Sequence, residues 1–266
     1  MRLKITHTTR YEYRQDVPYG LQQLRLIPVS GPAQTVVNWS LDLGLAEQQA
    51  AFRDHIGNEV RLVSIGEGTR VVEIISHGEV DTHDTAGVIG AHNGAAPLWY
   101  FERQTDLTRP GPAVGKLLKA WRPPGDDPVA KLHSLITHIG DSIAYETDTS
   151  HSETTAESAA LAGTGVCQDH THILIGMARA MGLPARYVSG YLMMDDRTHQ
   201  DASHAWAEVY VEGLGWVGFD VSNRISPDER YVRIASGLDY REAAPISGFV
   251  FGGGKESMIV TLQVQQ

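Results

Sequence analysis

The chain's single cysteine, Cys167, stands in the run Gly163-Thr164-Gly165-Val166-Cys167-Gln168-Asp169. A thiol attacks a carbonyl carbon as the thiolate. Near neutral pH it needs an adjacent imidazole, a helix N-terminus, or both, to ionise. Gly163 and Gly165 allow a tight approach to a strongly apolar segment that runs from about Cys167 to Met181 and stops at Gly182 and Pro184, so a buried helix is expected with Cys167 at its head. Free N–H groups in a first helical turn favour a thiolate. The same groups can receive an oxyanion, and the backbone N–H of Cys167 is the first candidate donor. A lone cysteine also forbids an internal disulfide and a cysteine-based zinc cluster.

A nucleophilic thiol needs a base, and the base needs a partner that fixes it. His204 opens the strand-like run His204-Ala205-Trp206-Ala207-Glu208-Val209-Tyr210, and Asp220 closes Trp216-Val217-Gly218-Phe219-Asp220. If the two runs form a hairpin whose paired numbers sum to 424, His204 lies opposite Asp220 on one face, with Cβ atoms roughly 4.5–5.5 Å apart. A two-residue turn at Gly213-Leu214 would instead pair Asp220 with Ala207 and turn the carboxylate to the other face. A working triad therefore specifies the register, or else a bulge.

Neighbouring residues have plainer readings. Asp169 sits where a carboxylate complements a helix N-terminus. His170 and His172, two apart on a helix, point to different sides and do not chelate one ion easily, so core or cleft-rim positions are expected and no metal is required. Trp206, Trp216 and Tyr191 read as core aromatics of strands. Asp195, Asp196 and Asp201 read as a solvated loop, since the spaced glycine and terminal glutamate of a calcium-binding loop are missing. Should Asp220 fail as the orienting group, Asn223 is the next candidate.

The elements that would position these groups divide the chain in two. From Leu3 to about Val80, short alternating runs rich in β-branched and aromatic residues (3–5, 8–13, 21–27, 36–43, 59–64 and 69–75) predict an antiparallel β domain, sandwich or barrel. The small-residue stretch from Gly87 to Pro97 reads as a linker, which sets domains at 1–92 and 93–266. Beyond it Asp127-Pro128 opens a helix with Leu132, Leu135, Ile136 and Ile139 on one face. A Ser/Thr-rich loop follows, from Glu146. After the Cys167 helix, 185–193, 204–211, 216–220 and 258–264 read as strands. Helices first and strands after argue α+β.

The segment from Gly163 to Leu192, with Ser203 to Val209 and Gly215 to Asp220, resembles the catalytic core of the bacterial transglutaminase-like superfamily, and the β-rich first part resembles the N-terminal domain that accompanies that core. The resemblance implies a papain-like α+β fold, with Cys167 heading a buried helix packed on an antiparallel sheet, and with Cys167, His204 and Asp220 as catalytic residues in the family's order. It departs after Asp220, where Val221-Ser222-Asn223 replaces the Pro-Thr of many relatives. The implied chemistry is cysteine-dependent acyl transfer from an amide through a thioester. Water as acceptor gives a peptidase or amidase, the expected outcome, and an amine gives a transglutaminase. The rival of another class is a non-catalytic interaction module on the same fold. Loss of a triad position would mark it, and none is lost.

Charge and patterning set further expectations. Lys+Arg number 22 against Asp+Glu 32, a formal −10, which offers no basic surface for nucleic acid. No run of about eighteen apolar residues predicts a membrane span. The alternating N-terminus is not a signal peptide, so a cytoplasmic location is expected. The expected partner is a peptide or protein amide substrate, with no cofactor.

Overall fold

The computed structural model describes residues 1–194, 198–200, 202–254 and 256–266. Asp195, Asp196 and Asp201, expected in a solvated loop, lie outside the described residues.

The N-terminal half opens with β1 (Arg2–Val17), a single long strand that spans two of the expected runs. Leu3, Ile5, His7, Thr9, Tyr11 and Tyr13 point inward at every second position, the period a half-buried strand requires. It is followed by β2 (Tyr19–Ile27), β3 (Gln34–Asp42), β4 (Glu47–Arg53), β5 (Glu59–Ile65) and β6 (Thr69–Thr82). All ladders between these strands are antiparallel. Two sheets stack face to face over Tyr11, Leu24, Leu26, Val63, Ile65, Val72 and Ile74, which makes a sandwich.

The second half carries α1 (Pro112–Ala120), α2 (Pro128–Ser142), α3 (Ala156–Ala162), α4 (Cys167–Ala180) and the short α5 (Tyr240–Ala243). Helix α2 starts as its sequence predicts: the Asp127 carboxylate accepts from Ala130 N–H at 2.7 Å, and Pro128 occupies the first turn. Its antiparallel sheet has the order β14 (Tyr231–Gly237), β10 (Ala185–Leu192), β12 (His204–Val211), β13 (Gly215–Phe219), β7 (Val88–Gly90). Helix α4 lies on this sheet with Ile173, Leu174, Ile175 and Met177 fully buried. Each such side chain contributes about 1.5–3 kcal/mol. The two-residue strands β8 (Ala144–Tyr145) and β9 (Thr164–Gly165) pair in parallel just ahead of α4. The architecture is α+β.

Two pairings cut across the expected boundary at residue 92. Val88–Gly90, read as linker, is the edge strand of the second sheet and pairs with β13. Residues 246–265, read with the core, return to the N-terminal half as β15 (Ile246–Phe251) on β2 and β16 (Glu256–Gln265) on β1, where β11 (His199–Gln200) also adds to β16. A third cluster, with Leu3, Ile5, Val80, Tyr191, Val232 and Ile234 at its centre, locks the halves together. Among the described residues no helix is long and apolar enough to cross a membrane.

Candidate active site

Cys167 is the first residue of α4 and is partly exposed. Its approach is built by the residues before it. Gly163 ends α3 in the left-handed region, φ 74°, where a side chain would be strained. At Gly165 an added Cβ would stand 2.7 Å from the Asp169 Cβ, so only glycine lets the chain pass this close to the helix. Asp169 Oδ2 accepts from Val166 N–H at 2.8 Å, the helix-start role read from its position. The N–H groups of Cys167 and Gln168 come before His170, whose N–H makes the first helical bond, to Val166 O, and they stay available to an anion.

His204, at the head of β12, donates through Nε2 to Asp220 Oδ2 at 2.6 Å. The Cys167 side chain also lies close enough to the ring to favour its charged form. With Nε2 committed to the carboxylate, Nδ1 is the nitrogen left for the thiol. Cys167 and His204 share a cleft of about 610 Å³ whose wall includes Tyr145, Gln168, Tyr187, Ser203 and Tyr240. The three residues singled out in the sequence are therefore brought together.

The register that brings them together differs from the one expected. Ala207 pairs with Phe219 and Val211 with Gly215, so paired numbers sum to 426, not 424, and the turn takes the three residues Glu212, Gly213 and Leu214. The ladder stops at Phe219, and Asp220 pairs instead with Ile225. Continued by one step, this register would set Asp220 against Trp206. His204 is the diagonal neighbour on that same face, farther than a direct pair but within reach of two polar side chains. The shift is even, so it preserves the face.

Asp220 is fully buried, and every lone-pair direction of its carboxylate is used. Oδ1 accepts from the backbone of Ser222 at 2.9 Å and of Asn223 at 3.2 Å. Oδ2 accepts from His204, from Asn223 Nδ2 at 2.7 Å and from Tyr231 OH at 2.8 Å. Burial works against the charge, but the bonds from His204, Asn223 and Tyr231 outweigh it and hold the Asp220 pKa below the usual carboxylate range. Burial likewise opposes charge on His204. The interactions with Asp220 and Cys167 prevail and push its pKa up to about 10, so the ring keeps its proton at neutral pH.

Tyr231 was not anticipated, because it lies on a strand with no motif and reaches Asp220 only through the sheet. Asn223 was named as a substitute for Asp220; here it serves as a donor to it. Trp206 stacks near His204 at 6.3 Å between centroids, and Tyr231 meets Trp206 edge-on at 5.4 Å, so two aromatics shield the ion pair. Trp216 is core, with the Arg186 guanidinium 4.1 Å above its ring. The flanking histidines have structural partners: His170 lies 3.0 Å from Ser222 Oγ and 3.1 Å from Ile143 O, and His172 Nε2 accepts from Tyr240 N–H at 3.2 Å. Among the described residues no cluster of His, Cys, Asp and Glu is arranged to hold a metal ion.

A family model described as the transglutaminase-like superfamily matches residues 118–221, and one described as the bacterial transglutaminase-like N-terminal region matches residues 3–81. An uncharacterised protein of Mycobacterium tuberculosis is 28% identical over 285 residues, covering 97% of this chain and 90% of its own length. A protein-glutamine gamma-glutamyltransferase of Pseudomonas aeruginosa is 29% identical over 105 residues, 34% of this chain and 15% of that enzyme. A crystal structure from Cytophaga hutchinsonii, provisionally described as a cysteine protease, shares the fold with a TM-score of 0.77 at 22% identity, over all of this chain and 90% of that one. The N-terminal sandwich and the helix-on-sheet core thus each fall in a matched region, and the chain belongs to the transglutaminase-like superfamily in its bacterial, N-terminally extended form.

Proposed function

We propose that the chain is a cysteine-dependent acyl-transfer enzyme that cleaves amide bonds through a thioester, with Cys167 as nucleophile, His204 as proton carrier and Asp220 as the residue that orients it. The observation that supports this reading is the placement of His204 between the buried Asp220 carboxylate and Cys167. The His204 imidazolium faces the Cys167 sulfur, which acts as the thiolate in the attacking step. The thiolate attacks the carbonyl carbon, and the oxyanion is received by the first-turn N–H groups of α4. The C–N bond then breaks as His204 gives its proton to the leaving amine. Water attacks the thioester and yields a proton to His204, the C–S bond breaks, and the acid leaves.

Water is the proposed acceptor because Cys167 is partly exposed in a cleft whose wall includes Tyr145, itself 54% exposed, so solvent reaches the thioester. Transfer to an amine is the second reading, favoured by the similarity of a third of the chain to a protein-glutamine gamma-glutamyltransferase. The test is intact-protein mass spectrometry after brief exposure to p-nitrophenyl acetate, followed by decay with and without added amines. One acetyl group on the unmodified chain and none on Cys167→Ala is expected, with decay unchanged by amine. Equal labelling of Cys167→Ala would overturn the nucleophile, and amine-accelerated decay would select the second reading.

A further inference from the structure

A second cavity, of about 240 Å³, opens beside the catalytic cleft on the seam between the two halves of the molecule. The two spaces share Ser203 and Tyr240 as walls, so the seam begins one residue before His204. Its remaining walls come from the N-terminal sandwich and the returning C-terminal strands: Ile246 at the start of β15, and Met258 and Val260 on β16. Its floor is β1, where His7 and Thr9 face inward.

The floor has an unspent hydrogen bond. His7 Nδ1 lies 2.8 Å from Tyr191 OH and Nε2 lies 3.1 Å from Thr9 Oγ1, which uses both ring nitrogens. Whichever tautomer the ring adopts, the Thr9 hydroxyl gives His7 either its proton or a lone pair and keeps the other. Burial pushes the His7 pKa down to about 4, so the ring is neutral at working pH. No Lys, Arg, Asp or Glu lines the cavity among the described residues. A charged group placed there would be desolvated without a partner.

We propose that this seam cavity is a substrate subsite for a side chain flanking the reacting carbonyl, one with an apolar stem and an uncharged hydrogen-bonding tip that meets Thr9. The proposal rests on the catalytic reading above and gives the sandwich a role in it. Met258, Val260 and Ile246 contact the stem, while the Thr9 hydroxyl pairs with the tip. A site built around a buried polar group discriminates against isosteres that leave it unpaired.

The full chain is assayed with p-nitrophenyl acetate, which has no side chain to place in the seam, and with capped hexapeptides carrying Met, Gln or Glu at one position beside the scissile amide. These three side chains are nearly isosteric and differ only in the chemistry of the tip. In kcat/KM the Gln peptide should exceed both others by at least tenfold. Thr9→Val, and Val260→Trp, which fills the cavity, should each cut that preference below threefold and leave acetylation of Cys167 within twofold. An unchanged preference in both variants, or no preference in the unmodified chain while Cys167 acetylates normally, overturns the subsite alone. If the unmodified chain does not acetylate, the catalytic reading fails, and the seam is decided by NMR: the Met258 methyl resonance should shift with the Gln peptide and not with the Glu peptide, and equal response to both, or to neither, overturns it.

Discussion

Replacing Asp220 by asparagine isolates what the carboxylate does. In the structure, Asp220 Oδ2 faces three donors, from His204, Asn223 and Tyr231, at 2.6, 2.7 and 2.8 Å, while Oδ1 faces two backbone N–H groups. An amide can satisfy only one of these sides. If its oxygen keeps the backbone pair, its NH2 confronts three donors in a buried site. At about 1–3 kcal/mol for a buried group left unpaired, Asp220→Asn should destabilise the fold by about 2–4 kcal/mol. The loss on His204 is separate. Its pKa of about 10 stands above the ordinary value of 6.5 because the interactions with Asp220 and Cys167 overcome burial. With the carboxylate charge gone, burial is opposed by Cys167 alone, and the ring should titrate at least two units lower, about 3 kcal/mol of imidazolium stabilisation. Turnover should fall by roughly 10²–10⁴ as the ring loses both its charge partner and its fixed tautomer. Denaturant unfolding, a ¹⁵N-resolved titration of His204 and kcat/KM give the three readouts. A variant with turnover within threefold of the unmodified chain, and with His204 still titrating near 10, would refute the assigned role of Asp220.

Tyr231→Phe removes one of the donors to Asp220 Oδ2; turnover should fall by about three- to thirtyfold and stability by about 1 kcal/mol, read by the same assays. Gly165→Ala drives a Cβ against Asp169 and should destabilise by about 1–3 kcal/mol, measured by denaturant midpoint, together with loss of Cys167 acetylation as the helix start is displaced. Because His204 has a folded pKa above its unfolded one, its contribution to stability is whole below about pH 6.5 and is lost as pH rises toward about 10; the fall in Tm across that interval should be smaller in His204→Ala. Asp220, whose pKa is depressed, contributes above the usual carboxylate range and loses that contribution as pH falls through it, so Asp220→Asn should flatten the acid limb of the same profile.

How legible the site was in the sequence follows from how local each determinant is. Cys167 at a helix head, Asp169 as the carboxylate that completes it and Asp127-Pro128 ahead of α2 each depend on residues within four positions, and each could be read directly. Many strands were also legible, since Leu3, Ile5 and Tyr11 declare their face by alternation, but Glu47–Arg53, Tyr231–Gly237 and Ile246–Phe251 carried no strand reading. Strand partnership was not. Nothing in 256–265 says that its neighbour is β1, some 250 residues earlier, and nothing in Tyr231 says that its hydroxyl reaches Asp220. The 426 register turns on a three-residue turn and on the exit of Asp220 into a bridge with Ile225, both set by the packing of the loop after Phe219. Helix α3 had a local signal that composition masked: the Thr155 hydroxyl accepts from Ser158 N–H at 3.1 Å ahead of an alanine-rich turn, inside a stretch whose Ser and Thr content reads as loop.

The return of residues 246–265 to the first two strands imposes an order of events during synthesis. Until those residues leave the ribosome, β1 and β2 each have one hydrogen-bonded neighbour, β6 or β5, and one open edge. Those open edges are templates for pairing with other chains. The helices and sheet around Cys167 are already made by then. The nascent protein thus holds Cys167 before its first half is sealed, and closure of the sandwich waits on residues 246–265.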